Sequence, residues 1–326
     1  MLIPAFARAV AGVGSPLNPE RDLLWKKDFS VNSWFTIGHF DHGGQKLNFL
    51  YHAMVMALPQ GSILQAVASI TNETTGWYSS SEFVGPVSTA TLADDRFSVE
   101  TSNGGMNGDF SEMKVWANVP GGSVDIRMSA SSPVIYNGGT GCFDFLGMSI
   151  HQYSVPRHDA VGRMMIDGHT VELKGVTWFD RQWQHQDFQS DASLKWTWMD
   201  INLDNGDTMS LWSAFDLTLG RELAWTTILH TDGTQTVTAI EPISKNEFDH
   251  WTSEQTGNTY PTRWLIKIPQ FDAVLEVIPS PRKQELISQV KSLHRYEGAS
   301  AISGTYKGKS VHGFGYVELV GKWNSN

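Results

Sequence analysis

Gly175-Val-Thr-Trp-Phe-Asp-Arg-Gln-Trp183 decides how this chain is read. Its β-branched and aromatic residues favour an extended strand. Side chains alternate between the two faces of a strand, so Trp178, Asp180 and Gln182 share one face. Phe179, Arg181 and Trp183 share the other. Two more aromatic strands follow, Lys195-Trp-Thr-Trp-Met-Asp200 and Met209-Ser-Leu-Trp-Ser-Ala-Phe-Asp216. Trp196, Trp198 and Asp200 fall on one face of the first, and Trp212 and Asp216 on one face of the second. If the three strands are neighbours, they wall a pocket with indoles and place a few polar groups inside it. Small-molecule sites have that composition. For each ring taken singly, core packing is the competing reading.

Outward from this centre, the chain alternates short strands and turns. Ser33–Asp41 and Lys46–Met56 flank His42-Gly-Gly-Gln45, a hairpin signal in which the glycines supply positive φ. Gly162–Lys174 is a second hairpin, with Asp167-Gly168 at its tip. Short strands with regular turns predict a sandwich or barrel. Helices are expected at most at Asn246–Glu254 and Arg282–Leu293. A soft boundary near 155–162 gives two domains, 1–158 and 159–326.

Composition narrows the function classes. The chain has 326 residues, is 40% hydrophobic and only 18% charged, and has ample material for a core. A net charge of −10 with no basic run argues against nucleic acid as a partner. Cys142 is the single cysteine, so no intrachain disulfide is expected, and the thiol reads as a small buried side chain. No stretch approaches the roughly 20 apolar residues of a membrane-spanning helix. Met1–Gly14 is a poor secretion signal, interrupted by Pro4 and Arg8 and lacking a basic start. Localisation is left open: cytoplasmic, or secretory if a leader has been removed. Asn72-Glu-Thr74 matches an N-glycan acceptor.

No phosphate-binding glycine loop, nucleophile elbow or metal-ligand spacing occurs, so no cofactor and no metal are expected. His39, Asp41 and His42 are close in sequence, but nothing supplies the remaining ligands. What is left is the aromatic–carboxylate set. Asp180 beside indoles is a candidate general acid, if desolvation raises its pKa. Arg181, Gln182 and His39 are candidate donors to a substrate oxygen. Trp34, Trp178, Trp183, Trp198, Asp200 and Trp212 are candidate substrate contacts.

The motifs resemble the lipocalin-like hydroxyneurosporene synthase family, which includes carotenoid 1,2-hydratases, AttH-like proteins, kievitone hydratase and fungal Diels–Alderases. The resemblance runs through Trp34–Phe40, Gly162–Gly168, Gly175–Trp183, Tyr260–Trp264, Ile268-Pro269, Glu285, Tyr296–Gly298 and Gly304. It closes with Gly308 and Gly313–Gly321. It implies an all-β fold of two lipocalin-like β-barrel or sandwich domains packed side by side. Arg181 stands where the hydratases of that family carry a histidine, and an arginine does not act as a general acid. The expected activity is cofactor-free pericyclic (Diels–Alder or hetero-Diels–Alder) cyclisation of a small hydrophobic polyketide or terpenoid intermediate. The alternatives are a hydratase or dehydratase of an isoprenoid or flavonoid double bond with Asp180 as acid, and a non-catalytic carrier.

Overall fold

A computed structural model describes residues 16–185 and 194–323. The chain divides into two compact units, Met1–Asp144 with Met148–Gln186, and Phe145–Gly147 with Asp187–Asn326. Each is built on one curled antiparallel sheet, so the all-β expectation holds.

The first sheet holds β1 (Val31–His42), β2 (Gln45–Leu58), β3 (Gly61–Asn72), β4 (Trp77–Pro86), β5 (Thr91–Leu92), β6 (Phe97–Thr101) and β7 (Gly104–Gly108). It continues with β8 (Glu112–Val119), β9 (Gly122–Ala130), β10 (Ile135–Tyr136), β11 (Cys142–Phe145), β12 (Met148–Ile166) and β13 (His169–Gln184). Its order is β4-β3-β2-β1-β13-β12-β9-β8-β7-β6-β5, with β10 and β11 on β12. The second sheet holds β14 (Leu194–Leu203), β15 (Thr208–Asp216), β16 (Arg221–Leu229), β17 (Gln235–Ala239) and β18 (Glu247–Thr252). It continues with β19 (Thr259–Ile268), β20 (Ala273–Pro279), β21 (Glu285–Leu286), β22 (Arg295–Tyr306) and β23 (Lys309–Gly321). Its order is β17-β16-β15-β14-β23-β22-β20-β19-β18, with β21 on β22.

The two orders follow one plan. A four-strand meander opens each unit, and its first strand pairs with the unit's last strand, β1 with β13 and β14 with β23. This plan explains why the division falls after β13 and not near 158. The β12–β13 hairpin fills the gap between β1 and β9, so a cut at 158 would split the middle of the first sheet. It also corrects the three-strand pocket: β14 and β15 are neighbours, but β13 belongs to the other sheet.

Both hairpin tips take the expected positive φ, Gly43 at 60° and Gly44 at 81°, and Asp167 at 49° and Gly168 at 78°. The two expected helices are absent. Residues 247–252 form β18, and 282–293 contain only β21 and a short 3-10 turn. The first segment pairs as a strand with β19, and in the second Leu286, Val290 and Leu293 do recur at helical spacing, but Glu285–Leu286 pairs with β22 instead. No helix among the described residues is long and apolar enough to cross a membrane. The Met1–Gly14 reading lies outside the described residues.

Apolar side chains on alternate strand positions fill the inside of each curled sheet. Phe49, Tyr51, Val115, Ile126, Val155 and Phe179 represent the first core. Met199, Leu211, Trp264, Leu275 and Val317 represent the second. Asn72 is 5% exposed and its amide donates to Gln45 Oε1 at 3.4 Å, so a sugar on that nitrogen would have to displace the side chain.

Candidate functional site

Strand parity sorts the sequence-derived site residues into three groups. The first lies inside the first unit. Trp34 of β1 faces Arg181 of β13 in direct register, and Tyr153 of β12 faces Arg181 from the other side. The guanidinium is fully buried, 4.5 Å from the Trp34 ring centre and 5.0 Å from that of Trp183. Its Nε donates to Asp22 O, Nη1 to Ser33 O and Gln182 O, and Nη2 to Leu24 O and Asn32 Oδ1. An arginine has five N–H donors, so none is left for a substrate. Burial pulls its pKa down to about 9, which still leaves it cationic at neutral pH. Trp34 Nε1 donates to Leu23 O and Tyr153 Oη to Pro19 O. Trp183 stacks on His151 with ring centres 5.4 Å apart. Arg181, Trp34 and Trp183 therefore anchor the segment before β1 and are not the expected donor and pocket walls.

The second group occupies the opposite face of the same strands. Trp178 Nε1 donates to Asp180 Oδ1 at 2.7 Å, and Gln152 Nε2 donates to Oδ2 at 3.2 Å. Asp180 is 5% exposed and is flanked in register by Phe35 and Ser154. Beyond Phe35 on the same row comes His52, which bonds Ser33 Oγ at 2.8 Å. Gln182 shares the face and donates to Gln184 Oε1. His39 also shares it but bonds Asn48 at 2.7 Å. It lies four residues along β1 from Phe35, about 13 Å at strand rise, so it is not brought to Asp180.

The third group lies in the second unit, on the face of the sheet turned away from its core. Trp225, Trp212, Trp198, Glu318 and Glu297 stand in one row across β16, β15, β14, β23 and β22. Phe145 meets Trp196, Trp212 and Trp225 edge-on, at 5.9, 5.2 and 6.3 Å between ring centres. Trp198 Nε1 donates to Ser210 Oγ at 3.2 Å, and Trp196 Nε1 donates to Glu318 Oε1 at 3.1 Å. Glu297 is fully buried, and Arg295 Nε donates to it at 3.0 Å. Burial first, and then the negative charge of Glu318, hold the Glu297 pKa well above the usual carboxylate range, with Arg295 opposing. Asp200 sits one row away, accepting from Asn202 at 2.7 Å. Asp216 is a turn residue whose carboxylate accepts from the Thr218 and Leu219 amides.

The sequence reading singled out Trp198, Trp212 and Asp200 but not Glu297 or Glu318. One signal was present. Gly175-x-x-Trp-Phe-Asp180 is matched by Gly313-x-x-Tyr-Val-Glu318, so each unit's last strand carries a carboxylate five residues after a glycine. In both, an aromatic of the unit's first strand stands opposite it, Phe35 or Trp198. Cys142 is half-buried, and burial raises its thiol pKa, consistent with an inert side chain.

Two lipocalin-like β units, each with an apolar inside and a polar–aromatic buried face, define the class. The AttH-like family model matches residues 13–322, and the chain belongs to that family. It is 26% identical over 225 residues to dehydratase asqC of Emericella nidulans, an alignment covering 66% of this chain. It is 27% identical over 225 residues to kievitone hydratase of Fusarium solani subsp. phaseoli, covering 67% of this chain. Both alignments span 62% of the relative's length. Among solved structures, kievitone hydratase from Nectria haematococca is similar at a TM-score of 0.83 and 23% identity, with 97% of each chain covered.

Proposed function

We propose that the chain is a cofactor-independent hydro-lyase acting on a hydrophobic substrate with an alkene or an ionisable alcohol. The observation that supports this most is a buried carboxyl, Glu297, at the end of an indole row. A carboxylic acid with a raised pKa holds its proton to higher pH and can serve as a general acid. Indole faces favour a cation. Proton donors beside indoles suit a carbocation that forms and is then quenched.

In the hydration direction, the Glu297 O–H bond breaks and a new C–H bond forms at one alkene carbon. Water attacks the resulting cation, a C–O bond forms, and the surplus water proton returns to the carboxylate pair. Dehydration is the reverse: the acid protonates the hydroxyl, water leaves, and a carboxylate takes the neighbouring C–H proton. The kinship to proteins named dehydratase and hydratase agrees with this reading. Asp180 is a second candidate group. Its carboxylate accepts from Trp178 and Gln152, which suits a proton acceptor better than the acid expected from sequence.

The expected pericyclase remains the second reading, favoured by the Trp225–Trp212–Trp198 row, which would hold a polyene in a reactive fold. It loses one support, because Arg181 has no donor to offer. Incubation with a panel of prenylated phenols and allylic alcohols in 18O-labelled water separates the two. Gain or loss of one water, with label in the hydrated products, supports the hydro-lyase. Cyclised product of unchanged mass, free of label, would replace it with the pericyclase.

A further inference from the structure

A second binding site lies on the first unit, on the outward face of β6 to β9, β12 and β13. It is an open cavity of about 550 Å³, within the range of ordinary ligand sites. One row crosses it in register: Glu100, Gly105, Trp116, Asp125 and Arg163. Met113, Val115 and Ala117 of β8 point into the core, so Trp116 between them points outward.

Gly105 makes the floor. A side chain there would begin 2.4 Å from Trp116 Cζ2, so only a glycine lets the indole lie against the strand. The ring is half-buried, with one side on Gly105 and the cavity beside it, and Lys114 Nζ stands over it 5.6 Å from the ring centre. A Trp shielding a strand glycine is a structural device in its own right. The lining goes further than shielding requires.

Around the ring stand Glu100 and Asp125 as acceptors, Lys114 and Arg163 as donors, and Asn118 as both. The charges balance, two of each sign. Lys114 pairs with Asp125 at 3.1 Å, whereas the Arg163 guanidinium and the Asn118 amide make no side-chain bond among the described residues. A balanced polar rim gives no reason to expect a phosphate or another anion. A greasy ligand would leave these groups without partners. A flat indole does suit the weakly positive C–H face of a ring.

We propose that this cavity binds a neutral saccharide, either free or as the sugar of a glycoside. One pyranose ring lies on Trp116, and its hydroxyls meet Glu100, Asp125, Asn118 and Arg163. The site is separate from the carboxyl–indole row and does not depend on the function proposed for it.

Affinity electrophoresis of the full chain through gels containing soluble xylan, β-glucan, starch or no polysaccharide tests the proposal. An array of neutral oligosaccharides repeats it in solution. Retardation by at least one neutral glycan is expected, weakened about tenfold in Trp116→Ala and in Arg163→Ala. Arg163 is exposed and has no partner among the described residues, so its variant should keep the parent melting temperature even if Trp116→Ala loosens the sheet. No binding to any neutral glycan, or undiminished binding by a folded Arg163→Ala protein, would overturn the proposal.

Discussion

Glu297 faces Glu318 directly across the β22–β23 pair, and Arg295 reaches the Glu297 carboxyl at 3.0 Å. Two acids this close, one fully buried, do not both ionise readily. A single arginine offsets only part of that cost. The arrangement favours the protonated form of the Glu297 carboxyl at the end of an indole row.

Activity should therefore fall as pH rises through the raised Glu297 pKa, and Glu297→Gln should lose about 10²- to 10⁴-fold in kcat. Stability carries its own signature. A group whose folded pKa lies above its unfolded value stabilises the fold fully below the unfolded pKa, near 4.5, and loses that contribution as pH rises through the folded value. Urea unfolding of the parent at a series of pH values should show that loss, and Glu297→Gln should not. Equal pH slopes in the two proteins would count against a retained proton.

Trp198 stands next to Glu318 in the row, 2% exposed. If its ring stabilises a cationic intermediate, kcat should fall in the order Trp, Phe, Leu at position 198. Cation–π energies of about 0.5–2 kcal/mol correspond to a loss of roughly 2- to 30-fold. Single-turnover rates, measured beside melting temperatures, distinguish this from packing. A loss that tracks stability alone, with Phe and Leu equal, would assign the ring to the core.

Arg181 is expected to matter through stability. Arg181→Ala leaves several buried carbonyls without donors and empties the gap between Trp34 and Trp183. Such losses typically cost about 3–5 kcal/mol. Arg181→Lys should recover little, because one ammonium cannot reach acceptors spread around a planar fork. Differential scanning calorimetry should place both variants well below the parent. A normal melting temperature with lost turnover would return Arg181 to the chemistry.

His158 gives the opposite pH dependence from Glu297. It is fully buried, and burial lowers its pKa to about 4. The unfolded chain takes up this proton near pH 6.5, whereas the folded chain resists it. The stability present above pH 6.5 is therefore lost as pH falls toward 4, by up to about 3 kcal/mol. Replacing His158 with Gln should flatten the acid limb of the stability curve in that window, as read by chemical denaturation. An unchanged acid limb would mean that another group titrates there.

The alternation in 175–183 made the strand and its two faces legible, and glycine-bearing tips fixed the hairpins. The same alternation already separated Arg181 from Asp180. Its neighbours on the inner face, Trp34 and Tyr153, come from strands 147 and 28 residues away in the chain, and only pairing shows that they enclose it. Glu297 and Glu318 were illegible for a related reason. Glu318 repeats the glycine-to-carboxylate spacing of Asp180, but the significance of the pair comes from a register that sets residues 21 apart side by side. The domain boundary was misplaced because the β12–β13 hairpin looks like the start of something new, although it completes the sheet that β1 began.

The central claim is that Glu297 is a neutral carboxylic acid in the native protein near pH 7. Infrared difference spectroscopy of the parent against Glu297→Gln, in H2O and D2O, tests it directly. A protonated-carboxyl C=O band that shifts in D2O and is missing from the variant is the expected result. A parent spectrum at neutral pH with only carboxylate bands would contradict the account.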